Sequence, residues 1–99
     1  MIHKQANEPP KKPYELVLSP GARRALSETL PSAVAFAAWE LISGPLLDNP
    51  RLVGSPLHAP FEGLFSARRG QYRVRYKIDE NRNEIQILDI QHRRDAYRS

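Results

Sequence analysis

The groups in this chain that could do chemistry lie mostly in its second half, and they are guanidinium, imidazole and phenol side chains. The last eight residues, HRRDAYRS, contain His92, Arg93, Arg94 and Tyr97. The stretch QYRVRYKI, residues 71 to 78, adds Arg73, Arg75 and Lys77 at alternate positions, with Arg68 and Arg69 just ahead of it. Breaking an RNA phosphodiester without a metal needs a base for the 2′-hydroxyl, cations for the charge growing on the phosphate, and an acid for the departing 5′-oxygen. Arg, His and Tyr can fill those roles. No cluster of carboxylates or histidines has metal-ligand spacing, so neither a metal site nor a cofactor is expected.

Each of these groups also has a plainer reading. A terminal Arg-rich segment is ordinarily solvated, and a lone histidine at a strand end is ordinarily a hydrogen-bonded surface group. Tyr72 and Tyr76 read as core residues whose hydroxyls reach a rim, and Trp39 as packing between helix and sheet. Glu62, His3 and His58 fall in loop-like stretches and are assigned no role.

The charge distribution bears on that choice. The net charge of +4 arises entirely after residue 50, because the first fifty residues balance five Lys/Arg with five acids. Residues 64 to 77 hold five cations and no acid. Arginine dominates there, and its planar fork suits bidentate contact with phosphate. A polyanion, nucleic acid above all, is the partner such a surface favours. No run of about 18 apolar residues exists to span a membrane, the N-terminus lacks the apolar core of a secretory signal, and cysteine is absent, which fits a reducing cytoplasm.

These residues must be positioned by a single domain of about 14–99, preceded by a Pro- and Lys-containing arm, 1–13, with little to bury. YELVL, 14 to 18, reads as a short strand. Ser19 reads as an N-cap and Pro20 as the first residue of a helix of about ten residues, with Ala22, Leu26 and Leu30 on one side. Pro31 opens a second helix carrying Val34, Ala35, Ala38, Trp39, Leu41 and Ile42. Leu46 and Leu47 extend it by a turn, and a Pro-bearing loop, 50 to 60, follows.

Three strands are expected at about 63 to 68, 71 to 79 and 84 to 90, linked by tight turns at Arg69–Gly70 and over 79 to 83. The third, EIQILDI, switches apolar parity midway, as a bulge or burial on both faces would require. The fold class is therefore α+β: an N-terminal strand, then an antiparallel helical hairpin packed on one face of an antiparallel sheet. If the helices cover Tyr72, Val74, Tyr76 and Ile78, then Arg73, Arg75 and Lys77 share the uncovered face.

The run PLHAPFEGLFSARRGQYRVRYKIDE, followed by the apolar strand and HRRDAYR, resembles the RelE branch of the RelE/ParE toxin superfamily over about residues 14 to 98. The resemblance implies a microbial-RNase-like fold whose open sheet face binds RNA. It also implies a cytoplasmic toxin of a type II toxin–antitoxin pair, an endoribonuclease that cuts mRNA on the ribosome and inhibits translation. Its partners would be a RelB-like antitoxin, mRNA and the ribosome. By matching motifs, Arg73 and Arg93 would stabilise the scissile phosphate and Tyr97 would stack on or activate the nucleotide, and Arg68 matches a cation of the preceding strand. Arg68, Arg69, Arg75, Lys77 and Arg94 are the candidate RNA contacts, Arg75 and Lys77 for steering or backbone contact along the groove.

Two departures from the family pattern matter. Leu64 and Ser66 stand where well-studied members carry lysines, and the interval from Arg93 to Tyr97 is shorter than in the best-known member. Other branches use a histidine near the C-terminus as acid or base, so Tyr97 and His92 both stand as proton carriers. The alternative is a ParE-type toxin of the same fold, which binds DNA gyrase and cuts no RNA.

Overall fold

The computed structural model describes residues 13–96, with side chains through residue 94. The N-terminal arm, apart from Pro13, and Tyr97 lie outside the described residues. The chain begins with β1 (Glu15–Leu18), passes into α1 (Pro20–Arg24) and a π-helical turn (Ala25–Thr29), and continues through α2 (Ser32–Ser43), α3 (Pro45–Asp48) and α4 (Pro50–Val53). Four strands follow, β2 (Ser55–Pro56), β3 (Leu64–Arg69), β4 (Tyr72–Asp79) and β5 (Glu84–His92), and then α5 (Arg93–Ala96). The strands form one sheet in the order β1-β5-β4-β3-β2.

The α+β architecture is the expected one, but the sheet is mixed. β1 runs parallel to β5, with Leu16 opposite Ile85 and Leu18 opposite Ile87, while the other neighbours are antiparallel. Parallel neighbours need a long crossover, and the helices between β1 and the other strands supply it. The expected 50-to-60 loop is also more ordered than its composition suggests. Pro50 starts α4, and Ser55 and Pro56 pair with Ser66 and Phe65 at the sheet edge, where a residue without an N–H is tolerated.

Ser19 begins the helical layer as its sequence position predicts. Its hydroxyl accepts the Ala22 N–H at 3.0 Å and donates to the Leu88 carbonyl at 2.8 Å, while its own N–H reaches the Ile87 carbonyl. One residue therefore caps α1 and ties it to β5. It does so where β5 carries an extra residue: Arg75 faces Asp89 and Tyr76 faces Ile87, leaving Leu88 unmatched. This bulge explains the parity switch in EIQILDI. Ile85 and Ile87 before it, and Ile90 and His92 after it, all turn to the helix-covered side.

The buried seam of the second helix runs through Val34, Ala38 and Ile42 and continues to Leu46 in α3, a spacing of four residues that keeps one face toward the sheet. Ala38 is fully buried, allowing close approach. Trp39, expected to pack against the sheet, is instead 40% exposed, and Phe36 is 67% exposed. Both lie off the seam, Trp39 about 100° and Phe36 about 160° round the helix from Ala38. Across the sheet the covered face carries Ala67, Tyr72, Val74, Tyr76, Ile85, Ile87 and Ile90.

Gly54 is required by a close approach. A Cβ there would lie 2.4 Å from the Tyr76 hydroxyl and 2.8 Å from the Ser66 carbonyl oxygen. That hydroxyl donates to the Pro50 carbonyl at 2.6 Å, locking α4 over the sheet.

Candidate functional site

The face of β4 away from the helices carries Arg73, Arg75 and Lys77, and the pairing register decides what stands beside each. Arg73 lies between Arg68 on β3 and Gln91 on β5. Arg75 lies between Ser66 and Asp89, and Lys77 between Leu64 and Gln86. The three cations are thus in three different surroundings.

Arg68 and Arg73 are cross-strand neighbours of like charge, an arrangement that costs stability unless an anion sits over it. Among the described residues no carboxylate pairs with either. Beside them, at the end of the sheet, is a cleft of about 260 Å³ lined by Arg68, Arg73, Gln91, His92, Arg93 and the Gly70–Gln71 turn. Gly70 makes that turn tight by adopting φ +51°, which places the two-residue loop one position later than the sequence suggested. The Arg93 N–H donates to the Gln71 carbonyl and so holds the start of α5 at the cleft rim.

The next row is neutralised. The Arg75 Nε–H donates to both Asp89 carboxylate oxygens, at 3.1 and 3.2 Å, and a terminal N–H also bonds the carboxylate. These bonds raise the Arg75 pKa, against a smaller opposing effect of burial. Lys77 is exposed and lies four positions along β4 from Arg73, roughly 14 Å at the strand rise.

Arg69 falls on the other side of the sheet. β3 runs through it, opposite Tyr72, and its guanidinium donates to the Val53 carbonyl at 3.0 Å and the Arg68 carbonyl at 2.7 Å. Arg94 is exposed on α5, and His92 is buried at 7% exposure, opposite Tyr72 in the ladder. β5 therefore continues two residues past its expected end. Of the candidate residues, the structure brings Arg68, Arg73, His92 and Arg93 to one cleft; Arg69, Arg75 and Lys77 do not line it. Sequence reasoning missed Gln91 and Asp89. Their signal is the bulge, which turns both toward the cationic face. Among the described residues no three His, Asp or Glu side chains converge as a metal site would require, and no helix is long and apolar enough to cross a membrane.

The family model for the ParE toxin of the parDE type II toxin–antitoxin system matches residues 20–97. The chain belongs to the RelE/ParE toxin family. Two relatives from Mycobacterium tuberculosis agree with this membership. Toxin RelE is 44% identical over 86 residues, which cover 87% of this chain and 88% of that protein. Toxin RelG is 42% identical over 86 residues, covering 87% and 98%. The crystal structure of the RelBE2 toxin–antitoxin complex from the same organism contains a chain 40% identical to this one, with a TM-score of 0.77, over 83% of this chain and all of that one. The archaeal RelE–RelB complex from Pyrococcus horikoshii gives a TM-score of 0.53 at 25% identity, over 83% of this RelE/ParE chain and 97% of that one.

Proposed function

We propose that this RelE-type toxin is a metal-independent endoribonuclease that cleaves mRNA on the ribosome and so arrests translation. One observation carries the reading. Arg68 and Arg73 oppose each other across the ladder, without a carboxylate partner among the described residues, beside a cleft that Arg93 also lines. Three guanidinium groups around one cleft match the need to bind a phosphate and hold the second negative charge it gains during cleavage.

In this mechanism the ribose 2′-oxygen attacks the adjacent phosphorus in line as the P–O5′ bond breaks. The 2′-hydroxyl proton leaves to a base and the 5′-oxygen gains one from an acid, giving a 2′,3′-cyclic phosphate and a 5′-hydroxyl. Arg73 and Arg93 stabilise the phosphorane oxygens, with Arg68 beside them. Of the two proton carriers the sequence offers, Tyr97 and His92, this mechanism uses Tyr97. The partner is a protein antitoxin, as the RelBE2 and archaeal RelE–RelB relatives have. An acidic antitoxin segment would complement the open cationic face, and exposed Phe36 and Trp39 on α2 offer it apolar surface.

A ParE-type reading, gyrase binding without cleavage, draws on a different observation: β3 gives the open face one cation, Arg68, with Ser66 and Leu64 filling the other rows. Primer extension on mRNA in a translation extract, with and without ribosomes, separates the two. New 5′ ends that require ribosomes and vanish with Arg73→Ala support cleavage. Absence of new ends together with inhibited gyrase supercoiling supports the ParE-type reading.

A further inference from the structure

We infer that His92 is a positioning residue that caps the C-terminal helix and does not itself move protons, an inference that rests on the cleavage reading for its kinetic test. α5 begins at Arg93, so His92 occupies its N-cap position. The His92 Nδ1 accepts the Arg94 backbone N–H at 3.2 Å, and the Arg94 Nε–H approaches the same nitrogen at 3.4 Å. The Arg93 N–H is taken by the Gln71 carbonyl. Both leading amides of α5 therefore have partners, one in the β3–β4 turn and one on the imidazole. The first amides of any helix lack intrahelical acceptors, and in so short a helix such partners largely decide whether it forms in place.

The same contacts leave the ring poorly placed to exchange a proton with substrate. Because Nδ1 acts as the acceptor, the ring hydrogen sits on Nε2. Nε2 is buried from solvent and has no partner among the described residues. A general acid or base must come within hydrogen-bond reach of the reacting oxygen. Here one nitrogen is engaged by Arg94 and the other is enclosed. What His92 does control is where α5 starts, and hence where the Arg93 side chain enters the cleft. That leaves Tyr97 as the proton carrier in the tail.

Two variants test this. Asparagine is a strong N-cap whose Oδ1 can accept the Arg94 N–H, yet it cannot titrate; alanine can do neither. Expected is cleavage by His92→Asn within about threefold of wild type and a loss of about tenfold or more in His92→Ala. Hydrogen exchange at the Arg94 amide, read by NMR, needs no activity. It should match wild type in His92→Asn and speed up by about fivefold in His92→Ala, the fold-change of a typical lost cap. A loss of about 10²–10⁴-fold in both variants, with the Arg94 amide still protected in His92→Asn, would overturn the inference in favour of proton transfer. An Arg94 amide equally protected in His92→Ala would also overturn it. Should His92→Ala not fold, His92→Asn decides alone, since a proton carrier replaced by asparagine cannot keep its rate. Should wild type cleave nothing, the functional reading fails while the exchange experiment still decides the cap.

Discussion

Two neighbouring rows of the exposed sheet face are built from the same strand pattern and come out differently. At the Arg75 row the sheet is held from both sides. Asp89 pairs with Arg75 in front, and behind it the buried Tyr76 bonds the Pro50 carbonyl and stacks on Phe65 with ring centroids 5.5 Å apart. At the Arg73 row two guanidinium groups face each other with no carboxylate among the described residues to relieve them. The alternation of β4 creates three equivalent cations, and the neighbouring strands then make one structural and load another for an anion. Breaking the first region should cost stability; breaking the second should cost function.

The largest expected effect is on function. Arg73→Ala should lower the single-turnover cleavage rate by about 10²–10³-fold, if its guanidinium acts like a lost oxyanion-hole donor. It should leave the melting temperature unchanged or slightly raised, because removing one of two opposed like charges relieves repulsion. Full cleavage with a lowered melting temperature would invert the contrast between the two rows and remove Arg73 from the site.

How much of this contrast could be read beforehand depends on how far each feature reaches along the chain. Alternation in QYRVRYKI is local, so the shared face of Arg73, Arg75 and Lys77 was legible, as were the Ser19–Pro20 helix start and the bulge implied by EIQILDI. The Arg75–Asp89 pair was not, because it depends on the β4–β5 register, which the bulge shifts by one residue. The place of Arg69 depends on the turn in the same way. The sequence puts the turn at Arg69–Gly70, whereas the structure keeps Arg69 in β3 and so on the Tyr72 face. The apolar pattern ends β5 at residue 90 because His92 does not count as apolar, although it continues the buried alternation of Ile90.

The held region has its own test. Gly54→Ala would push a methyl group into the Tyr76 hydroxyl and the Ser66 carbonyl. Overpacking of this kind costs about 1–3 kcal/mol. Chemical denaturation should show that loss while cleavage by the remaining folded protein is unchanged, the reverse of Arg73→Ala. Equal stability of Gly54→Ala would mean that α4 is not fixed against β3 and β4.

Alkaline pH probes the same region more gently. Burial lifts the Tyr76 phenol above its ordinary 10.0, with the Gly54 N–H and Arg69 pulling it partway back. Burial also lifts Tyr72, again opposed by Arg69. A phenol whose folded pKa exceeds its unfolded one stabilises the fold fully below the unfolded value, and that contribution is lost as pH rises through the folded value. Urea stability should therefore fall above about pH 10, and Tyr76→Phe should make the fall shallower. An identical alkaline slope in Tyr76→Phe would assign the whole loss elsewhere.

The smallest effect concerns the boundary between the two regions. Asp89→Asn keeps the size of the side chain and removes its charge, so Arg75 would join Arg68 and Arg73 as a cation without a carboxylate partner on the open face. Each phosphate contact by a cation adds about 0.7 to the steepness with which single-strand binding weakens in salt. Binding of a 2′-deoxy, non-cleavable oligonucleotide should therefore become more salt-dependent by about that amount if the strand runs across the Arg75 row. Arg75→Ala in the wild-type background instead leaves the Asp89 carboxylate unpaired, so it should weaken binding without steepening its salt dependence. An unchanged slope in Asp89→Asn would mean that bound nucleic acid stays at the Arg73 end. The Asp89 carboxylate would then serve only to hold the sheet, and the row it neutralises would mark the edge of the site.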